Sequence, residues 1–482
     1  GNITATGGNR IGTGVAGAGG TITVADTLNI GTANRTISSR GGSTGLGAGG
    51  TINLGGPIYD SGARTLTVTG GSGTVSIAGG AANATLANNL DTLVVTASDG
   101  AGKIRVGSVN TVAAQSYDAG SGGIELNGNV ATLGSAGADT VTFSDPVTLT
   151  GNSSITTAGG SGDNIAISQT VNGAFGLTLN AGAVGNVSTS AVIGGGTPLT
   201  AFSATGAAVT FGQSVTAGSI FARSTTGNMT LNASAVLTGT GVGNAIELVA
   251  GGAASRFINN AGAGALNASN TAGRFLVWSQ NPANDTRGGL VYAFKQYNAT
   301  YGVTPVADTS ANNDGFLYVL APTITPGLTG SVAKVYDGTT TAVLATGNFT
   351  ATGAVDGDTV TLSGTGTYAN RNVGTAKTVT ATGITASASN GAATVYGYQV
   401  NPASASANIG TITQAALTLN AVTDSKVYDG TTTSTGSVAA SNLQTGDTYT
   451  ASQSFDSRNA GARTLAVNGG YVINDGNGGN NY

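Results

Sequence analysis

The chain has 482 residues, with 81 Gly, 8 Pro and no Cys or His, and only 8% are charged where an ordinary globular domain has roughly a quarter. A net charge of −4, from 17 basic and 21 acidic residues spread without a basic cluster, excludes the electrostatic footprint of a nucleic-acid binder. The lack of Cys excludes disulfides, thiolate nucleophiles and zinc–thiolate sites. No apolar stretch approaches the roughly 18 to 20 residues of a membrane span.

Low charge combined with short β-branched runs argues for an ordered, repetitive, all-β chain. Position 1 is Gly rather than Met, which reads as a piece of a longer protein whose export signal lies upstream. Residues 1–256 alternate short strands with Gly, Ala, Asn and Ser breaks: TITV at 21, TINL at 51, RTLTV at 64, TVSIA at 74, TLVVTA at 92, KIRV at 103, IELNG at 124, LTLNAG at 177, MTLNAS at 229 and AIELVAGG at 245. GAGGTI occurs at 17 and again at 47, 30 residues on (47 − 17), and TLNA occurs at 178 and 230. Loose repeats of this length, strands of four to six residues and small corners predict a parallel β-helix rod with narrow aliphatic stacks and Asn or Thr ladders at its corners.

The texture changes at residues 257–320, where Phe257, Phe275, Trp278, Tyr292, Phe294, Tyr297, Tyr301, Phe316 and Tyr318 gather. A solenoid must cover the apolar cross-section of its last coil, so this segment is expected to be the C-terminal cap, with Phe275, Trp278, Tyr292 and Phe294 as its principal side chains. The functional alternative is an aromatic sugar-binding platform. APTITPGLTG, from 321, reads as a linker or first edge strand.

AKVYDGTTTA at 333 returns as SKVYDGTTTS at 425, so Tyr336 and Tyr428 stand 92 residues apart (428 − 336). The copies keep step beyond the phrase, with GDT at 357 and 446, RN at 371 and 458, and Gly at 374 and 461. This is a tandem β domain, residues 321–415 and 416–482. Its signature is Lys334, Tyr336, Asp337 and Gly338, then Lys426, Tyr428, Asp429 and Gly430. Asp-Gly before a Thr run predicts a tight turn entering a strand, with each tyrosine one step before it, placed to anchor the turn to the sheet. The first copy runs past YGYQV to ANIGTITQ while the second ends at Tyr482, near the match of Tyr396 or Tyr398, so the second copy is expected to lack its last strand and to offer an open edge.

This arrangement resembles the YDG-type repeats of filamentous-haemagglutinin-like bacterial adhesins, specifically over 332–482, in the cap over 273–302, and only in texture along the rod. The resemblance implies a large exoprotein exported through an outer-membrane partner transporter (two-partner secretion), secreted or held at the bacterial cell surface. It also implies attachment to a host or matrix surface ligand, or biofilm cohesion, as its function. Where the boundary at Tyr482 is native, the open edge would invite a strand from a neighbouring copy and so self-association into fibres; an arbitrary boundary is the alternative.

The catalytic expectation is none. Parallel β-helices do host polysaccharide lyases and hydrolases, which need clustered carboxylates or a Lys or Arg base. Asp60, Asp91, Asp99, Asp118, Asp139, Asp145 and Asp163 are single, spread out and often beside Gly, as turn residues are. Lys103 and Arg105 share a strand face with no acid near them in sequence, although coil stacking can assemble sites that the linear order hides. Asp356, Asp358 and Asp475 are weak calcium candidates, since their surroundings fit neither an EF-hand nor a calcium-roll repeat. No cofactor is expected. The rival readings are a carbohydrate-active β-helix enzyme and a passive spacer.

Overall fold

The computed structural model describes residues 3–6, 19–31, 33–40, 48–59, 63–77, 90–134, 137 and 139–482. Asp60 lies outside them. The described residues form strands with two short 3-10 turns, Pro282–Asn284 and Thr346–Asn348, and no α-helix, so no helix is long and apolar enough to cross a membrane. The chain divides into two compact units, Gly1–Leu320 with Ala392–Tyr396, and Ala321–Gly391 with Gly397–Tyr482.

The first unit is built from parallel ladders between strands one turn of chain apart. One column runs in register from Ile22 through Ile52, Val75, Ile104, Ile124, Val147, Val171, Ile193, Val215 and Leu237 to Leu266, in steps of 20 (124 − 104) to 30 (52 − 22) residues. The GAGGTI repeat is therefore a stacking register, since it sets Ile22 over Ile52. A second column passes through Val68, Val95, Tyr117 and Phe143. A third joins Ile155, Leu179, Ala204, Ala222, Leu248, Val277 and Phe316.

Period-2 alternation decides which atoms meet in these columns. In Thr65–Thr69 and Thr92–Ala97, Leu66, Val68, Leu93, Val95 and Ala97 are buried and the residues between them, threonines and Val94, are half-exposed. Each buried Val, Ile or Leu contributes about 1.5 to 3 kcal/mol. A parallel stack repeats that gain on every turn with backbone hydrogen bonds already made. Every strand quoted from the sequence forms.

Polar side chains close the corners. Asn152 accepts from Gly176 N at 2.8 Å, Asn172 from Gly196 N at 2.7 Å, Asn164 from Asn186 N at 2.7 Å and Asn186 from Ala208 N at 3.1 Å. Each amide thus satisfies a backbone donor 22 to 24 residues further along the chain. Buried Asp163 does similar work, accepting from Asp139 N at 3.1 Å and Gly160 N at 2.6 Å.

The first unit ends in an aromatic cluster. Phe275, Trp278, Phe294, Tyr297, Phe316 and Tyr318 are buried. Phe316 is its centre, edge-on to Tyr292 at 5.2 Å and to Phe275 at 6.1 Å, with Arg287 over its ring at 6.0 Å. Phe294–Gln296 pairs in parallel with Gly315–Tyr318 and with Ala393–Tyr396. Gly315 is dictated by packing, because a Cβ there would stand 2.1 Å from the Phe294 ring.

The second unit is mostly antiparallel. Gly374–Asn390 pairs with Thr359–Tyr368 on one side and Ser404–Thr413 on the other, and Val332–Val335 adds in parallel to Ser404–Thr413. The later copy is made of two-stranded pairs, including Thr448–Thr450 with Val472–Asn474 and Gln453–Phe455 with Leu465–Val467.

Candidate functional site

The turn of the repeated phrase folds the same way twice. Gly338 and Gly430 sit at φ 76° and 74°, the left-handed conformation that a side chain would strain. Asp337 accepts from Thr339 N at 2.9 Å and pairs with Lys334 at 2.7 Å. Asp429 likewise accepts from Thr431 N at 2.9 Å and pairs with Lys426 at 2.9 Å. Each lysine also donates to the threonine carbonyl and lies over an aromatic ring, Lys334 over Tyr368 at 5.4 Å and Lys426 over Phe455 at 5.6 Å. Lys, Asp, Gly and Thr are thus a self-contained ionic staple across a turn.

The staple has a titration signature. Lys426 first, then the Thr431 N–H, hold the Asp429 carboxyl down to about 2. A carboxylate depressed in the folded state stabilises above its unfolded value and loses that contribution as pH falls through the folded one. Lys426→Met is expected to move Asp429 back toward about 3.9, read by carboxyl-carbon NMR titration.

The tyrosine, by contrast, is used differently in the two copies. Tyr336 is 1% exposed and donates to Asp447 Oδ2 of the later copy at 2.8 Å. Tyr482 donates to the same oxygen at 2.8 Å and meets the Tyr336 ring edge-on at 5.5 Å. Arg371 lies 3.0 Å from Asp447 Oδ1 as an ion pair and donates to Asp475 O at 3.0 Å. Asn481 accepts from Val373 N at 2.9 Å. A buried carboxylate of one copy is therefore held by a phenol and a guanidinium of the other.

Residues 321–406 and 413–482 match the family model of the YDG domain. No curated protein and no solved structure matches the chain. Within each YDG module the Gly-Asp-Thr aspartate meets a tyrosine from the module's far end. Tyr398 donates to Asp358 Oδ2 at 2.9 Å and accepts from Val355 N at 3.0 Å, as Tyr482 donates to Asp447 and accepts from Gln444 N at 2.7 Å. Tyr398, rather than Tyr396, is thus the counterpart of Tyr482.

The expectation that both signature tyrosines anchor their turns is corrected at Tyr428, which is 66% exposed. Tyr336 N bonds Thr413 O, and the second YDG module covers the ring, whereas no strand pairs with residues 423–429 among the described residues. Position in the motif alone does not bury the ring; the neighbouring strand and module do.

Burial first, then the hydrogen bond to Asp447 and its charge, push the Tyr336 hydroxyl up to about 12. A phenol whose folded value is raised loses stability from about pH 10, where the unfolded chain starts to release its proton, through the folded value. In an ultraviolet tyrosinate titration of the folded chain, a step near that value is expected to vanish in Tyr336→Phe, while Tyr117, which burial raises further, is unaffected.

The remaining candidates resolve into structural parts. Asp358 is taken by Tyr398 and by Asn390 at 2.9 Å, and Asn390 also donates to the Asp356 carbonyl. Asp475 accepts from Asn477 N, Gly479 N and Asn481 N at 2.7 to 2.9 Å. Burial pushes its carboxyl up and these donors outweigh it, leaving it below the usual range. Among the described residues no three His, Cys, Asp or Glu side chains gather as a metal group. The cap residues Phe275, Trp278 and Phe294 are buried, Tyr292 is half-buried, and the rings meet edge-on rather than as an open platform.

Sequence order hid one partner. Glu125, on the strand stacked beside Lys103 and Arg105, pairs with them at 2.6 and 2.7 Å, and these two bonds hold its carboxyl below the usual range. In the first unit Asp145 accepts from Ala119 N at 2.7 Å, Asp91 from the Thr92 hydroxyl at 3.1 Å, and Asp99 pairs with Arg40 at 2.6 Å, while Asp118 is exposed on its strand. Sequence reasoning also passed over Asp447 and Arg371 as a pair, although the matched GDT and RN phrases were the signal.

Proposed function

We propose that the chain is an extracellular structural adhesin or matrix-fibre component. In this reading a parallel β-helical rod, capped by the aromatic segment, carries YDG modules that serve as mechanical connectors for cell-surface attachment or biofilm cohesion. The observation that carries it is the contact of Tyr336 and Arg371 with Asp447: the reactive groups of the repeated motif are spent joining one module to the next. The stacked ladders support a rod, since a column stepping 20 to 30 residues per rung at about 4.8 Å lengthens with every turn. Secretion through an outer-membrane partner transporter follows from the family resemblance, and the surface ligand is left to experiment.

The test is adhesion under flow. Beads coated with the full chain are expected to clump or to stay on cell layers and on abiotic surfaces at shear that removes albumin-coated beads. Beads that do neither, together with cleavage of a polysaccharide panel by the chain, overturn the reading in favour of an enzyme.

A further inference from the structure

The strands Ser153–Thr156, Gly176–Asn180, Leu199–Gly206 and Val215–Ser224 stack in register in the first unit and carry two files of uncharged polar side chains between their buried residues. One file runs Ser154, Thr178, Ser203 and the other Thr156, Asn180, Thr205, and all six are half-buried or exposed. The second file continues to Arg223, the partner of Thr205, and then turns apolar at Val249 and Trp278. At that change of character lies a recess of about 110 Å³ whose lining includes Arg223, Gly251, Gln280, Thr300 and Tyr301.

Arg223 differs from the cations described above. Lys103, Arg105, Lys334 and Arg371 each face a carboxylate, whereas Arg223 has neither a hydrogen bond nor an ion pair among the described residues. Its guanidinium lies 5.8 Å from the Tyr301 ring centroid, and its Nε is 3.6 Å from where a Cβ on Gly251 would stand. The head group is thus held at the recess with its donors free. The Thr300 and Tyr301 hydroxyls make no hydrogen bond among the described residues, and Gln280 uses only its Nε2, on the Ala250 and Gly251 carbonyls. No Asp or Glu among the described residues lines the recess. Glu247, which stands near Tyr301, accepts from the Trp278 indole Nε1 at 3.0 Å.

We propose that this recess binds the carboxylate of an acidic sugar, a hexuronate within a polysaccharide whose neighbouring sugars lie along the file of Thr205 and Asn180. A planar guanidinium with free donors matches a carboxylate in a bidentate pair. The Thr300 and Tyr301 hydroxyls and the Gln280 Oε1 offer donors and an acceptor to the hydroxyls of the same sugar ring. The rungs of the file stand about 4.8 Å apart, close to the length of one sugar residue, so successive sugars meet successive hydroxyl or amide side chains. A peptide fits less well. An extended peptide binds a sheet by pairing with an open edge, and Gly176–Asn180 and Leu199–Gly206 are already paired on both sides. The inference rests on the adhesin reading and names the chemical class of its surface ligand.

Biolayer interferometry of the full chain on immobilised polygalacturonate tests it. Wild-type binding is expected to weaken in high salt, which screens the arginine–carboxylate attraction. On the methyl-esterified polymer, which keeps the ring and loses the charge, it is expected to be about tenfold weaker or more. Arg223→Gln is expected to lower the affinity for polygalacturonate about tenfold or more, and Thr300→Val by a smaller factor. In both variants an unmoved Trp278 fluorescence transition shows that the first unit is folded. Arg256→Gln removes the same charge from an exposed side chain outside the recess and is expected to bind like wild type. A wild-type chain that does not bind, equal binding to the ester, Arg223→Gln that binds like wild type, an equal loss in Arg256→Gln, or preference for polyglutamate overturns the proposal. Binding is read without shear, so the two readings fail separately: beads that adhere through a chain indifferent to polygalacturonate sink this inference alone, and a chain that binds it while its beads wash away sinks only the adhesin reading.

Discussion

Asp447→Ala is expected to destabilise the second unit by about 2 to 4 kcal/mol, the cost of leaving Tyr336, Tyr482 and Arg371 without their shared acceptor. The upper end of the cost for a broken buried pair is not reached, because the Arg371 side chain is 31% exposed and water replaces part of what it loses. Asp447→Asn keeps the shape and one acceptor oxygen, so its cost is smaller. Tyr336→Phe, which removes a single hydrogen bond and keeps the ring contact with Tyr482, costs about 1 kcal/mol. Denaturant unfolding followed by near-ultraviolet tyrosine dichroism reads all three. Because the only tryptophan, Trp278, belongs to the first unit, its fluorescence transition serves as the internal control and is expected not to move.

The complementary result is expected for Phe316→Ala, at a cost of about 3 to 5 kcal/mol to the first unit. Phe316 is 0% exposed and stands within ring contact of Phe257, Phe275, Tyr292 and Tyr318. These rings bracket it from several strands, so collapse into the space left by alanine would have to move the backbone of a stacked ladder. Arg287, whose guanidinium lies over the Phe316 and Tyr292 rings, loses one of its faces as well. Here the Trp278 fluorescence transition moves to lower denaturant while the tyrosine signal of the second unit stays. A Trp278 midpoint unchanged by Phe316→Ala would remove the aromatic cluster from its place as the keystone of the first unit.

What the sequence made legible follows from which interactions are local. Thr65–Thr69 and Thr92–Ala97 are readable because alternation at period 2 is written within one strand. The stacking of Ile22 on Ile52 is readable because the repeated GAGGTI carries its own register. The Lys-Asp-Thr staple closes within five residues, as Lys334 to Thr339 does, so the phrase announces it. Glu125 beside Lys103 and Arg105 is not written locally, since it depends on which strand stacks next. The bond from Tyr336 to Asp447 spans 111 residues and depends on how two modules pack. The same limit explains Tyr428: an identical phrase gives an identical staple, while the burial of its tyrosine is set by what else lies over it.

If Tyr336 and Arg371 bind the two YDG modules into one cooperative body, hydrogen exchange by mass spectrometry on the full chain reads it most directly. In the wild type, Val332–Val335 of the first module and Val472–Asn474 of the second are expected to exchange with a shared opening free energy. In Asp447→Ala, Val472–Asn474 is expected to open earlier while Gly374–Asn390 keeps its protection. Independent exchange of the two segments in the wild type, with no change on removing the Asp447 carboxylate, would contradict the account.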